Sequence, residues 1–441
     1  MTGLLSTCGL QFEDWSAAYR LFSQQRVSTG NLFQGVRSAA AALVPDTEPL
    51  CISLDDSILR KTGSKIHGVA WRRDPLGPKF HVNFVRAQRF LQFSMAVPTA
   101  EHPQGVRMIP IDFLHCPTPV RPRNNAPEPE QTRYRQALKT ANLCGQASTR
   151  LDALRASLPP DAKGQPRPVH LLVDGQYTNR NLLKRLPAQT TLIGRIRKDA
   201  QLHDPPNTDT KTGKRGRRVQ YGTLASTPEQ VRTDDTHPWQ TVSVFAAGVQ
   251  HECKVKVVPH LLWRPAGAGT PLKLVVIAPL HYRLRAGSKL LYRQPAFLIC
   301  TDPTLDTQQI VQQYVWRWDI EVNFREEKSL LGVGEAQVRT PESNQSLPAF
   351  LIATYALLLL AAIRALPQPS PDMLPRSKWS ARSKPQRTST QKLIHHLQAE
   401  IWGRGIGLPN NFSGFSSSRT PTPKPEKLIS SLPSALLYCN A

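Results

Sequence analysis

Residues 314–328 read YVWRWDIEVNFREEK. The stretch has no Pro or Gly, and Val, Trp, Ile and Phe recur among charged residues, which predicts one helix. At about 100° per residue, Tyr314, Arg317, Glu321, Arg325 and Lys328 fall on one narrow stripe. That stripe sets one carboxylate among three cations and a phenol, while Glu326 and Glu327 point elsewhere. Charges on a helix commonly mean a salt-bridged solvent face. An acid flanked by cations equally suits a site that holds a metal ion and a phosphate together. The helix alone leaves both readings open.

The spacing carries more. Tyr314, Arg317, Glu321 and Lys328 stand as Tyr, two residues, Arg, three residues, Glu, six residues, Lys. In this Y-R-E-K pattern the chain resembles the bacterial insertion-sequence transposases of the DDE class. The resemblance implies that Glu321 is the third catalytic carboxylate. It also implies that Tyr314, Arg317 and Lys328 hold phosphates of a transposon end, and that two aspartates lie upstream, each just after an apolar strand.

Two stretches meet that expectation. Residues 49–57, PLCISLDDS, and 168–174, PVHLLVD, are short apolar runs bounded by Pro and closed by acids, as buried strands are. Asp55 directly follows its run, with Ser57 two residues on; Asp174 directly follows Leu171-Leu172-Val173. Asp56 stands as the alternative to Asp55. Side chains alternate across a strand, so the two cannot both face one site. The neighbour is then expected to accept hydrogen bonds or to pair with a base such as Lys61. An Asp that ends a strand is by itself usually a turn or cap residue. Three acids in the order of the fold, the last inside the pattern, favour the catalytic set Asp55, Asp174 and Glu321.

Between and around these acids the chain reads as α/β. Strands are expected near 80–85, 90–97 and 106–113, a long helix over 130–157, a short helix over 180–186 and a strand over 190–196. That order matches the ribonuclease H-like fold of the family, a mixed sheet flanked by helices. The resemblance further implies a β-rich insertion, read here over 197–293, with strand-like segments at 241–247, 253–263 and 272–277. The catalytic domain thus divides into 48–196 and 294–366. Residues 1–47 read as a helical region, either a DNA-end-binding element or a cap on the core. The remainder, 367–441, is a basic, Pro/Ser-rich tail with one short helix over 390–402. The stretch 61–79 reads as a long basic loop, and its Lys61 and Lys65 are candidates, with Arg325, for contact with the DNA backbone. His67 is a weak candidate base. The resemblance implies an aromatic stack on a flipped base, for which Trp239 and Trp263 are candidates beside core packing.

Composition limits the partners. The 441 residues carry a net charge of +24, which says little about fold but favours a polyanion. The seven cysteines are scattered and form no CxxC pair, which argues against a zinc ribbon and against a disulfide framework. Glu13 and Asp14 interrupt any apolar start, so no signal peptide is expected. The apolar run 349–363 is short for a membrane span and reads as a core helix.

The expected function is that of a transposase, which cuts DNA at insertion-sequence ends and joins the freed 3′-OH to a target. The alternatives are a catalytically inactive or domesticated DNA-binding relative and another two-metal nuclease of the same fold. Carboxylates are hard oxygen donors, so the expected cofactor is a pair of Mg²⁺ ions, roughly 3.5–4 Å apart, for which Mn²⁺ substitutes. They would be held by Asp55, Asp174 and Glu321. The expected partners are double-stranded DNA, as transposon ends and target, and a second copy in a homodimer. No membrane and no small-molecule substrate are expected. The expected location is the bacterial cytoplasm, on the nucleoid.

Overall fold

A computed structural model describes residues 12–405 except 64, 75, 76, 79, 101, 207–218, 283–286, 288, 290, 337 and 366–386. The expectations for the tail before 387 and after 405 lie outside the described residues.

The two acid-tipped runs form the parallel centre of a sheet. β1 (Leu50–Arg60) pairs parallel with β5 (Val169–Val173), and β5 pairs parallel with β6 (Thr190–Arg195). On the other side β3 (Phe84–Pro98) runs antiparallel to β1, and β4 (Val106–His115) antiparallel to β3. The order β4-β3-β1-β5-β6 is that of a ribonuclease H-like sheet. The apolar runs are continuous because helices cover both faces. Leu50, Ile52 and Leu54 pack in one core cluster with Val36, Ala40, Leu151 and Leu154. Cys51, on the opposite face, packs in a second cluster with Ile310 and Val311.

The three long strands of the insertion do not build a sheet of their own; only the short strands His281–Tyr282 and Leu291–Tyr292 pair apart from the main sheet among the described residues. The long strands β7 (Gln240–Ala246), β8 (Val249–Trp263) and β9 (Gly267–Ile277) form successive antiparallel pairs, and β9 then pairs with β12 (Ala296–Cys300). Because β12 also pairs with β6, the inserted strands extend the catalytic sheet to ten strands among the described residues. Buried Leu272, Leu274, Val275 and Val276 give β9 two apolar faces, which only an interior strand can use.

Other expectations shift in detail. The long helix over 130–157 is two, α3 (Glu128–Thr140) and α4 (Leu143–Ser157), because Asn142 turns the chain and its side chain accepts from Gly145 N at 3.0 Å. The basic loop over 61–79 contains a short strand, β2 (Ala70–Arg73), which pairs with β3. No strand begins at Phe80; β3 is one continuous strand from Phe84.

The N-terminal region supplies α1 (Ser16–Ser23) and α2 (Thr29–Ala41). Val36, Ala40 and Ala41 are buried in the main core, and the buried Arg167 donates to the carbonyls of Ala41, Val44, Pro45 and Glu48. This helix is therefore part of the core. The long helix α9 (Pro341–Ala365) is apolar and long enough to cross a membrane, but it packs against β4 and α2 with Ile352, Ala356 and Leu359 buried.

Candidate active site

Asp55 lies midway along β1, on the same face as Ser53 and Ser57, by strict alternation from Leu54. That face is covered by the pattern helix. It does not run unbroken: α7 (Thr307–Trp316) and α8 (Asp319–Ser329) are separated at Arg317 and Trp318. Both residues keep helical dihedrals, but the hydrogen bonds tighten. Trp318 N reaches Val315 O, Ile320 N reaches Arg317 O and Glu321 N reaches Trp318 O, each three residues back, at 3.0–3.1 Å. The tightened turn draws Arg317 inward, where it is buried, and leaves Trp318 61% exposed.

Arg317 then links two of the expected acids. Its Nη1 lies 3.3 Å from Asp55 Oδ2, and its Nη2 lies 3.3 Å from Glu321 Oε1. The guanidinium stands 5.4 Å from the centroid of the Tyr314 ring. Burial works against its charge, and Tyr314, Asp55, Glu321 and Asp174 together more than offset that, so the net shift is upward. Lys328 donates from Nζ to Ser57 Oγ at 2.6 Å, so it meets β1 one step beyond Asp55 on the same face.

Asp174 leaves the end of β5 in a tight turn. Its Oδ1 accepts from Gln176 N at 2.9 Å and Tyr177 N at 3.2 Å, and its carbonyl accepts from Thr178 Oγ1 at 2.7 Å. These bonds fix the carboxylate at the end of the strand. The turn needs Gly194 on the neighbouring β6, since a Cβ there would fall 2.3 Å from Thr178 Oγ1.

Asp55, Asp174 and Glu321 line one cleft of about 1040 Å³. Burial and the nearby Asp174 push the Asp55 carboxyl up to about 7, with Arg317 opposing. Asp56 faces the other way. Its Oδ1 accepts from Tyr177 OH at 2.7 Å and Gln176 Nε2 at 2.9 Å, and its Oδ2 lies 3.2 Å from Arg89 Nε. The neighbour of Asp55 is thus an acceptor, as expected, but its cation is Arg89 and not Lys61. Lys61 Nζ instead donates to the carbonyls of Gly334 and Ala336 at 2.5 and 3.0 Å.

The remaining expected residues separate. Tyr314 lines the cleft, as do Trp263 and Trp318. Trp239 stands over the ammonium of Lys256 at 4.6 Å. Arg325 is exposed on α8, and Lys65 is exposed in the loop after β1. The ring of His67 packs edge-on against His115, centroids 5.9 Å apart, and is not among the residues lining the cleft. Cleft residues left unassigned in the sequence include Trp318, read only as an apolar helix position, and Arg195, Arg197 and Lys198, read only as part of the basic opening of the insertion. A Trp beside the Arg of the pattern was the one available signal.

Behind the cleft, α8 is held by buried polar contacts. Glu327 accepts from Gln92 Nε2 at 2.9 Å, and burial pushes its carboxyl up to about 8. Glu326 Oε2 accepts from Tyr355 OH at 2.5 Å and from Thr390 Oγ1 at 2.6 Å. Arg107 ties Thr388 and Thr390, at the start of α10 (Thr390–Gly405), into the same cluster.

Among the described residues, no three His, Cys, Asp or Glu side chains converge closely enough to hold a metal ion as they stand. The donors nevertheless have the right chemistry, three hard carboxylates on one cleft, with Arg317 drawn between two of them.

No curated protein matches the chain. A family model described as DDE superfamily endonuclease matches residues 13–270, more than half of the sequence. The matched span holds Asp55, midway along β1, and Asp174, directly after β5, and stops before Glu321. With the ribonuclease H-like sheet and its acid-lined cleft, that match establishes that this chain belongs to the DDE superfamily of endonucleases.

Proposed function

We propose that the protein is a transposase that cuts DNA at the ends of an insertion sequence and joins the freed 3′-OH to target DNA. The observation that carries this reading is Arg317, buried between Asp55 and Glu321 on the cleft that Asp174 also lines. DDE endonucleases act on DNA and generally use divalent metals. Here Asp55, Asp174 and Glu321 would hold Mg²⁺, with Mn²⁺ as a substitute. When bound, the metal supplies an activated oxygen nucleophile and stabilises the leaving oxygen.

This chain's own groups do the rest. The guanidinium of Arg317 is planar and can grip a phosphate through two donors, a geometry that a lysine lacks. Lys328 supplies a point charge beside Ser57. Arg195 and Lys198 line the same cleft and add positive charge along the path of the backbone. Tyr314, Trp263 and Trp318 give it aromatic walls against which a sugar or base can rest. Joining two ends requires two active sites, so the working assembly is a homodimer on DNA.

The test separates transposition from simple cutting. The protein is incubated with Mg²⁺, DNA carrying the sequences that flank its reading frame, and a supercoiled target plasmid. Covalent joining of 3′ ends to the plasmid is the expected product. Nicking without any joined product would reduce the activity to that of a nuclease.

A further inference from the structure

The edge strand β2 presents a patch that the cleft does not account for. Directly opposed residues of an antiparallel pair share a face. The register sets Trp71 opposite Arg86 and Arg73 opposite Phe84, so two rings and two guanidiniums stand together on one side of the ribbon. Trp71 is 68% exposed and Phe84 57% exposed. The Arg86 guanidinium lies 5.9 Å from the centroid of the Trp71 ring, which confirms the shared face.

That face lies on the same side of the sheet as Asp55, with buried residues of β3 between the two. Asp55 pairs with Gln92 across β1 and β3, and alternate residues of β3 carry the same face outward through Phe90 and Gln88 to Arg86. Gln92 bonds to Glu327 on α8 and Gln88 to Asn344 on α9, so the helices that cover this face end just short of Arg86. Six residues of strand put Arg86 roughly 20 Å from Asp55, which matches about six base-pair steps of duplex.

We propose that the Trp71, Arg73, Phe84 and Arg86 face of the β2–β3 ribbon is a second DNA contact, which grips the duplex about six base pairs from the point of cleavage. Its place along the duplex rests on the DNA-cutting reading above. Arginines alternating with aromatic rings suit a phosphate backbone and its sugars. Charge selects this occupant over a second copy of the chain, because a second copy also carries +24 and would bring cations toward cations.

The test is a binding one and does not depend on cleavage. Affinity of the full chain for a fluorescent random-sequence duplex is measured against salt, without divalent metal. Arg73→Ala with Arg86→Ala should lower the log–log salt slope by about 1.8, at about 0.9 per phosphate released. Trp71→Ala should weaken binding about tenfold with little change in slope. Arg86→Lys keeps the charge and should keep the slope. Unchanged slope and affinity in the alanine variants would overturn the proposal, as would an equal loss in Arg86→Lys. A change in sedimentation of Trp71→Ala with DNA binding intact would reassign the patch to self-association.

Discussion

The two faces of β1 treat adjacent aspartates in opposite ways. On one face Asp55 meets a buried arginine and the charge of Asp174, and its carboxyl is pushed up to about 7. On the other, Asp56 is taken up by Tyr177, Gln176 and Arg89. Identical side chains one residue apart thus differ because strand geometry turns them to opposite sides. The Asp55 face brings the carboxyls of Asp55, Asp174 and Glu321 onto one cleft, where a cation can ease their mutual repulsion. Asp56 is held by partners within the chain. The difference separates an acid placed for chemistry from an acid placed for structure.

Four changes bear on this contrast. The largest effect belongs to Glu321→Gln, which removes an acid from the Asp55 side with little change in shape. Mg²⁺-dependent nicking should fall on the order of 10³-fold or more, beyond the 10–100-fold typical of residues behind a metal's ligands, while DNA affinity persists. Nicking at the wild-type rate would break the contrast outright.

Glu327→Gln probes the same face away from the acids. The folded-state carboxyl lies near 8, above its ordinary 4.5, so burying it disfavours the charged form. Its effect on stability is nil below about pH 4.5, and stability is lost as pH rises toward 8. The Gln variant keeps the contact with Gln92 without the charge. Relative to wild type it should gain on the order of 4 kcal/mol by pH 8 and nothing at pH 4, read from urea unfolding at both. A gain independent of pH would contradict the assignment.

Asp56→Asn should cost about 1–3 kcal/mol in unfolding free energy, from weakened bonds to Tyr177 and Arg89, with nicking retained. Tyr177→Phe should be the mildest, about 1 kcal/mol, since Asp56 keeps Gln176 and Arg89. If either abolished nicking while folding normally, the Asp56 face would share in the chemistry.

Much of this arrangement was legible in the chain. Short apolar runs ending in Asp55 and Asp174 mark β1 and β5 because both strands are buried on two faces. The spacing from Tyr314 to Lys328 marked the residues that reach Asp55 and Ser57. What was not legible depends on distant pairing. Nothing local shows that β9 joins β12, or that Trp71 pairs with Arg86 inside a stretch that reads as loop. The break at Arg317 has no Pro or Gly to announce it, and it appears where Arg317 turns inward to Asp55.

The most direct test is a side-by-side assay of Asp55→Asn and Asp56→Asn for Mg²⁺-dependent nicking of supercoiled DNA. Asp55→Asn should be inactive and Asp56→Asn should retain measurable nicking. The reverse outcome would transfer the role to Asp56, and full activity in both would remove β1 from the active site.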